Sequence, residues 1–207
     1  MKNFRIIAVF LLVFLCAPHS RAAGDKVSTQ FTPDNRDDSD APSFELATET
    51  GYMLGIINNP NSYEIGAQFI TARWRFGPVY REGFFAGYNQ FYFSGVAEPI
   101  FRGPENFYYG ISIGLRYNFL LRNSRFTPYV SGGVGLGWID SHANVTGAQG
   151  QDFTFNVVSA AGVSYRIDDH WKASFGLVFQ HLSNGGQTEP NPSLNLLGPQ
   201  IGLTYSY

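Results

Sequence analysis

The sequence predicts an all-β fold, an eight-stranded antiparallel transmembrane β-barrel of the outer-membrane type. Three observations predict it. From Phe44 onward, apolar and polar residues alternate with period two, the mark of strands. The alternating stretches run about 11 to 15 residues, against five or six in an ordinary globular strand, and this length suits a tilted crossing of a bilayer. Each stretch has one apolar, aromatic-rich face and one face of Gly, Ser, Asn, Gln and Arg. In a membrane barrel the apolar face meets lipid and the small polar face fills the interior.

Composition agrees. Of 207 residues, 44% are hydrophobic and 16% aromatic, while only 14% are charged. Apolar content this high excludes a disordered chain. A single Cys excludes an internal disulfide scaffold. A formal net charge of -2 offers no basic stripe for nucleic acid.

The elements follow in order. Residues 1–22 read as a secretory signal peptide. Lys2 and Arg5 form a basic start, Ile6 to Ala17 is apolar, and Ser20-Arg21-Ala22 supplies small residues for cleavage. The apolar stretch is too short to span a bilayer, which takes about 20 residues. Residues 23–43 are a polar tail, with Asp34, Arg36, Asp37, Asp38 and Asp40 close together. Residues 44–207 form the barrel.

Alternation is weaker in the first three strands, placed at Phe44–Ile57, Tyr63–Phe76 and Gly83–Ser94. It is clearest in Phe107–Phe119. There Phe107, Tyr109, Ile111, Ile113, Leu115 and Tyr117 oppose Tyr108, Gly110, Ser112, Gly114, Arg116 and Asn118. Phe126–Trp138, Phe153–Tyr165, Trp171–Ser183 and Leu194–Tyr207 complete the eight. An even strand count puts both chain ends in the periplasm. Short inner turns are expected at Gly77-Pro78, Leu121–Arg125 and Ile167–Asp169. Longer outer loops are expected at Val96–Asn106, Asp140–Gln151 and Asn184–Ser193, with a short one at Asn58–Ser62. An eight-stranded barrel is filled by side chains, which disfavours a pore. Glu64, Gln68, Arg116, Asn118, Arg166, Lys172 and Gln180 are expected to form the interior network. Tyr207, an aromatic ending an outward face, is like the signal that outer-membrane assembly machinery reads.

Among histidines, His142 and His170 read as solvated surface residues. No zinc-ligand set is present, and neither a metal nor an organic cofactor is implied. His181 differs. The odd face of its strand reads Trp171, Ala173, Phe175, Leu177, Phe179, His181, Ser183, so parity points His181 and Ser183 toward lipid at the outer end. A His beside a Ser on one strand face suits general-base activation of a nucleophile, and a polar rim at the interface is the plainer reading.

The run His181-Leu182-Ser183-Asn184-Gly185-Gly186, followed by Pro190-Asn191, resembles the PagL family of outer-membrane lipid A 3-O-deacylases, also described as acyloxyacyl hydrolases. The resemblance implies an eight-stranded barrel whose lipid-facing Ser and His, with an acidic partner, hydrolyse an ester-linked acyl chain of lipid A. It implies Ser183 as nucleophile, His181 as base, and backbone N–H groups near Asn184 and Gly185 as the oxyanion hole. The substrate would be the lipid A of lipopolysaccharide in the outer leaflet. The family's acid falls on Asn195, which shares the outward face of the last strand; Glu189, in the preceding loop, is the alternative third member. The rival class is a non-catalytic small outer-membrane barrel with a structural, adhesion or assembly role. The sequence leaves open which ester is cleaved and whether the barrel forms a homodimer.

Overall fold

The computed structural model describes residues 41–57 and 63–207. The expected signal peptide, most of the expected polar tail and the expected Asn58–Ser62 loop lie outside the described residues. Eight strands follow one another: β1 (Phe44–Gly55), β2 (Glu64–Tyr80), β3 (Gly87–Arg102), β4 (Phe107–Phe119), β5 (Phe126–Ile139), β6 (Phe153–Arg166), β7 (Trp171–Ser183) and β8 (Leu194–Ser206). Each pairs antiparallel with the next, and β8 returns to β1 from Glu45↔Ser206 to Gly55↔Leu196. Closure leaves no free sheet edge, so most strand N–H and C=O groups face a neighbouring strand. The end carrying Phe44 and Ser206 is called the base; the opposite end is the rim.

Period-two side-chain direction divides each strand between wall and interior. Outside, Ile70, Phe93, Ile111, Ile113, Leu115, Phe175, Leu177, Ile201 and Leu203 are exposed. Trp74, Phe126, Trp171 and Tyr207 stand near the base, and Tyr52, Phe107, Tyr109 and Trp138 near the rim. Such bands of aromatics at two levels match the interfacial girdles of a membrane barrel.

The interior has two halves. Near the base, Glu45 accepts from Lys172 Nζ and Gln90 Nε2, each at 2.7 Å. Asn118 Nδ2 donates to Gln90 Oε1 at 2.8 Å, and Arg116 Nε to Asn118 Oδ1 at 2.9 Å. Arg73 pairs with Glu49. Buried charges survive when they are paired and hydrogen-bonded in this way. Near the rim the filling is more apolar, with Met53, Ile65, Leu182, Leu194 and Leu196 fully buried, and Glu98, Asn156 and Gln180 are buried there too. Three interior tyrosines pack against glycine. Tyr92 meets Gly114 and Gly133, Tyr108 meets Gly110 and Gly137, and Tyr129 meets Gly162 and Gly176; a Cβ at any of these six would strike the tyrosine's ring or hydroxyl. Side chains therefore fill most of the barrel, apart from a small cavity bordered by Glu49, Arg73, Tyr92, Arg116 and Tyr129.

Several expectations are corrected. Gly77-Pro78 is not a turn. β2 continues through it to Tyr80, with Gly77 at φ +71° in a register shift between Phe76 and Tyr80, so the turn falls at 81–86. A glycine at positive φ absorbs a bulge without ending the strand. β3 likewise runs on to Arg102, shortening the next outer connection to residues 103–106. Glu64 and Gln68 are not interior. β2 turns its odd residues inward, leaving these two on the outer wall. There Glu64 accepts from Tyr52 OH at 2.6 Å, and Gln68 exchanges hydrogen bonds of 2.7 Å with Thr48 and Thr50. Arg116, Asn118, Lys172 and Gln180 are buried inside as expected.

Candidate active site

β7 and β8 pair in direct register, with His181 opposite Asn195. Both side chains point outward, since the neighbours Gln180, Leu182, Leu194 and Leu196 fill the interior. The imidazole is half-buried between adjacent strands. His181 Nδ1 lies 2.9 Å from Asn195 Oδ1. The amide's other end fixes its orientation: Asn195 Nδ2 donates to Ser193 O at 3.1 Å and to Ile57 O at 3.5 Å. Oδ1 therefore faces the ring, Nδ1 is the donor, and Nε2 is left as the basic nitrogen.

Ser183 ends β7, two residues beyond His181 and on the same face, with Phe155 of β6 directly opposite it. Its hydroxyl is held by the loop rather than by the imidazole. Asn191 Nδ2 donates to Ser183 Oγ at 3.1 Å, and Oγ lies 3.3 Å from Asn191 Oδ1. Gly185 N donates to the same Oγ at 3.1 Å. Among the described residues, the imidazole's hydrogen-bond partner is Asn195, and His181 and Ser183 do not bond each other.

The loop after Ser183 is built to present backbone N–H groups. Asn184 is fully buried; its Nδ2 donates to Thr188 O at 2.6 Å, and its Oδ1 accepts from Gly186 N at 2.9 Å. Gly185 and Gly186 adopt φ +69° and +75°, a pair of left-handed residues that only glycine takes readily. A Cβ on Gly185 would also press against the Phe155 ring at 3.2 Å. Asn184 N donates to Asn191 Oδ1 at 3.3 Å. The two N–H groups expected to form an oxyanion hole thus converge on Ser183 Oγ and its Asn191 partner. Asn191 is the residue to which sequence reasoning gave no role, although it stands in the Pro190-Asn191 pair.

The outer loops brace this corner. Gly150 N donates to Pro190 O at 2.7 Å, and Thr188 Oγ1 to Gln151 Oε1 at 2.5 Å. Glu189 is exposed in this loop and makes no hydrogen bond to the imidazole. His142 lies in the 140–152 loop, near Asp140, and His170 stacks on Tyr205 at the base. No group of acidic, His or Cys side chains able to hold a metal occurs among the described residues.

A family model described as lipid A 3-O-deacylase (PagL) matches residues 61–204. The chain belongs to the PagL family. It is an outer-membrane β-barrel. The solved outer-membrane enzyme PagL has the same fold, with 15% identity and a TM-score of 0.54 over 76% of this chain and 97% of that one. Neisserial surface protein A is similar at 14% identity and a TM-score of 0.59, over 80% of this chain and 97% of that one. No curated protein sequence matches the chain. Within this PagL-family barrel, the matched region spans β2 through most of β8 and so includes His181, Ser183, Asn191 and Asn195.

Proposed function

We propose that this PagL-family barrel is an esterase that removes an ester-linked acyl chain from lipid A in the outer leaflet. The base faces the periplasm and the rim lies among lipopolysaccharide. The observation that carries the reading is the 2.9 Å contact between His181 Nδ1 and Asn195 Oδ1, on a lipid-facing rim that also bears Ser183. It fixes the tautomer that leaves Nε2 free to accept a proton.

In this reading Nε2 takes the Ser183 proton as Oγ attacks the ester carbonyl. The tetrahedral intermediate collapses, its bond to the sugar oxygen breaks, and the proton passes from His181 to that oxygen. Water, activated by the same imidazole, then hydrolyses the acyl-serine and releases the fatty acid. When Oγ moves to attack, it gives up the Gly185 N–H, which becomes available to the oxyanion. Asn195 orients His181 but brings no charge to the imidazolium. In the serine-protease template, the acid-to-amide change costs about 10⁴ in turnover because the tautomer is wrong. Here the amide presents its oxygen, so that part of the loss does not apply. No metal or cofactor is needed for these steps.

A second reading is a non-catalytic barrel with a structural or adhesive role. The fold shared with Neisserial surface protein A, and the absence of a His181–Ser183 hydrogen bond, favour it. Mass spectrometry of lipid A from cells carrying the wild-type chain, Ser183→Ala or His181→Asn separates the two. Loss of one acyl chain with the wild type alone supports the esterase. Identical lipid A in all three, with each barrel assembled, excludes it.

A further inference from the structure

The most exposed large apolar side chain near the base is not on a strand. In the 81–86 turn between β2 and β3, Phe84 is 90% exposed and Phe85 64%. Their rings meet edge to face at 5.0 Å. The turn is held firmly: Tyr117 OH donates to Phe85 O at 2.5 Å, Leu120 N to Ala86 O at 2.9 Å, and Ala86 N to Gly83 O at 3.1 Å. Gly83, at φ +86°, makes the bend that projects the two rings. A fixed pair of bare phenylalanines at a turn calls for an apolar partner.

Two observations identify that partner as lipid. First, the pair continues the apolar outer wall. Phe76 and Tyr80 on β2 are exposed directly above it, and Tyr117 and Phe119 on β4 stack edge to face beside it at 4.9 Å. Second, the neighbouring 120–125 turn exposes Leu121 together with Arg122 and Arg125, two cations that outnumber the one exposed carboxylate of the Phe84 turn, Glu82, and suit phospholipid. The 167–170 turn across the base is different: it exposes Asp168 and Asp169, which phosphate headgroups repel. That turn also exposes Ile167, so what sets the two sides of the base apart is the Phe84–Phe85 pair and the sign of the charge.

We propose that the β2–β3 turn is an anchor in the periplasmic leaflet, with Phe84 and Phe85 at the boundary of headgroups and acyl chains and Arg122 and Arg125 at the headgroup phosphates. The anchor rests on the base facing the periplasm; it does not depend on the esterase.

The test is a nitroxide attached at Phe84→Cys, in full-length barrel reconstituted in vesicles of phosphatidylethanolamine and phosphatidylglycerol. Ile113→Cys on the lipid-facing wall and Asp169→Cys on the opposite turn are the references, and gel mobility before and after heating verifies that each barrel is folded. The expected result is high collision with oxygen and several-fold lower collision with a water-soluble nickel chelate than at Asp169→Cys. Arg122→Ser with Arg125→Ser is expected to move label 84 toward water. Chelate access at 84 equal to that at Asp169→Cys overturns the anchor. So does protection from both quenchers, which means that protein covers the turn. Phe85→Cys repeats the measurement should Phe84→Cys fail to fold.

Discussion

His181 and Asn195 face each other at one register position of the β7–β8 ladder, with imidazole Nδ1 2.9 Å from the amide oxygen. The pairing makes Asn195 an orienting group without charge. Asn195→Glu is expected to preserve or raise ester hydrolysis, since a carboxylate accepts the same hydrogen bond and also stabilises the imidazolium. Asn195→Leu leaves the ring N–H without an acceptor, and its activity is expected to fall toward the roughly 10⁴-fold loss of a wrong tautomer. Glu189→Gln is the control. A large loss there, with Asn195→Leu near wild type in detergent micelles, would transfer the role to the loop.

Asn191 holds the hydroxyl that the proposed mechanism makes the nucleophile. Asn191→Leu removes both its contacts with Ser183 Oγ and the acceptor for Asn184 N–H. Misplacement of a nucleophile by an ångström costs about 10²-fold. The expected outcome is a loss of that order in kcat, with KM little changed, in an assembled barrel. An unaltered kcat contradicts the positioning role.

The tyrosine-on-glycine packing gives a stability prediction. Gly133→Ala places a methyl group against the Tyr92 ring and the backbone of β4. Overpacking of this kind costs about 1–3 kcal/mol. Urea unfolding in lipid is expected to show a lowered midpoint. Gly95→Ala, where a Cβ meets nothing within 4 Å, is expected to leave it in place.

Acid is expected to loosen the outer loops in a narrow range. Partial burial pushes the Asp140 carboxyl up, but hydrogen bonds from the Phe107 and Asn106 backbones and the Asn106 side chain outweigh it, and its pKa lies below the ordinary value. A depressed pKa means that its stabilisation is fully present above the unfolded aspartate value of about 3.9 and is lost as pH falls through the lower folded value. Limited proteolysis within the 140–152 loop is therefore expected to be flat above that range and to rise below it. Asp140→Asn removes the dependence and leaves the loop more open at neutral pH.

How much of this was legible in the sequence depended on contrast between the two faces of a strand. β4 was plain because Ile111, Ile113 and Leu115 face lipid while Ser112, Arg116 and Asn118 face inward. β1 and β2 were not. Near the rim their interior residues are apolar, as with Met53 and Ile65, while Thr48, Thr50 and Gln68 lie on the outer wall. There the contrast between the two faces is lost, so pattern alone puts Glu64 and Gln68 inside. Gly77-Pro78 misled in another way, because a bulge and a turn use the same residues. At the candidate site, parity placed His181, Ser183 and Asn195 on one face. It could not find Asn191, whose approach to Ser183 depends on the shape of a ten-residue loop between β7 and β8.

The seam between the first and last strands bears on timing. Asn195 sits where β8 meets β1: Ile56 N donates to Asn195 O at 2.7 Å, and Asn195 Nδ2 reaches Ile57 O. Those contacts come from opposite ends of the described chain and exist only once the cylinder has shut. A chain still threading into the bilayer has His181 and Ser183 on β7 but lacks part of the brace that aims the amide at the ring. The last step of closure also completes that brace, so the proposed hydrolytic corner is finished only when the barrel itself is.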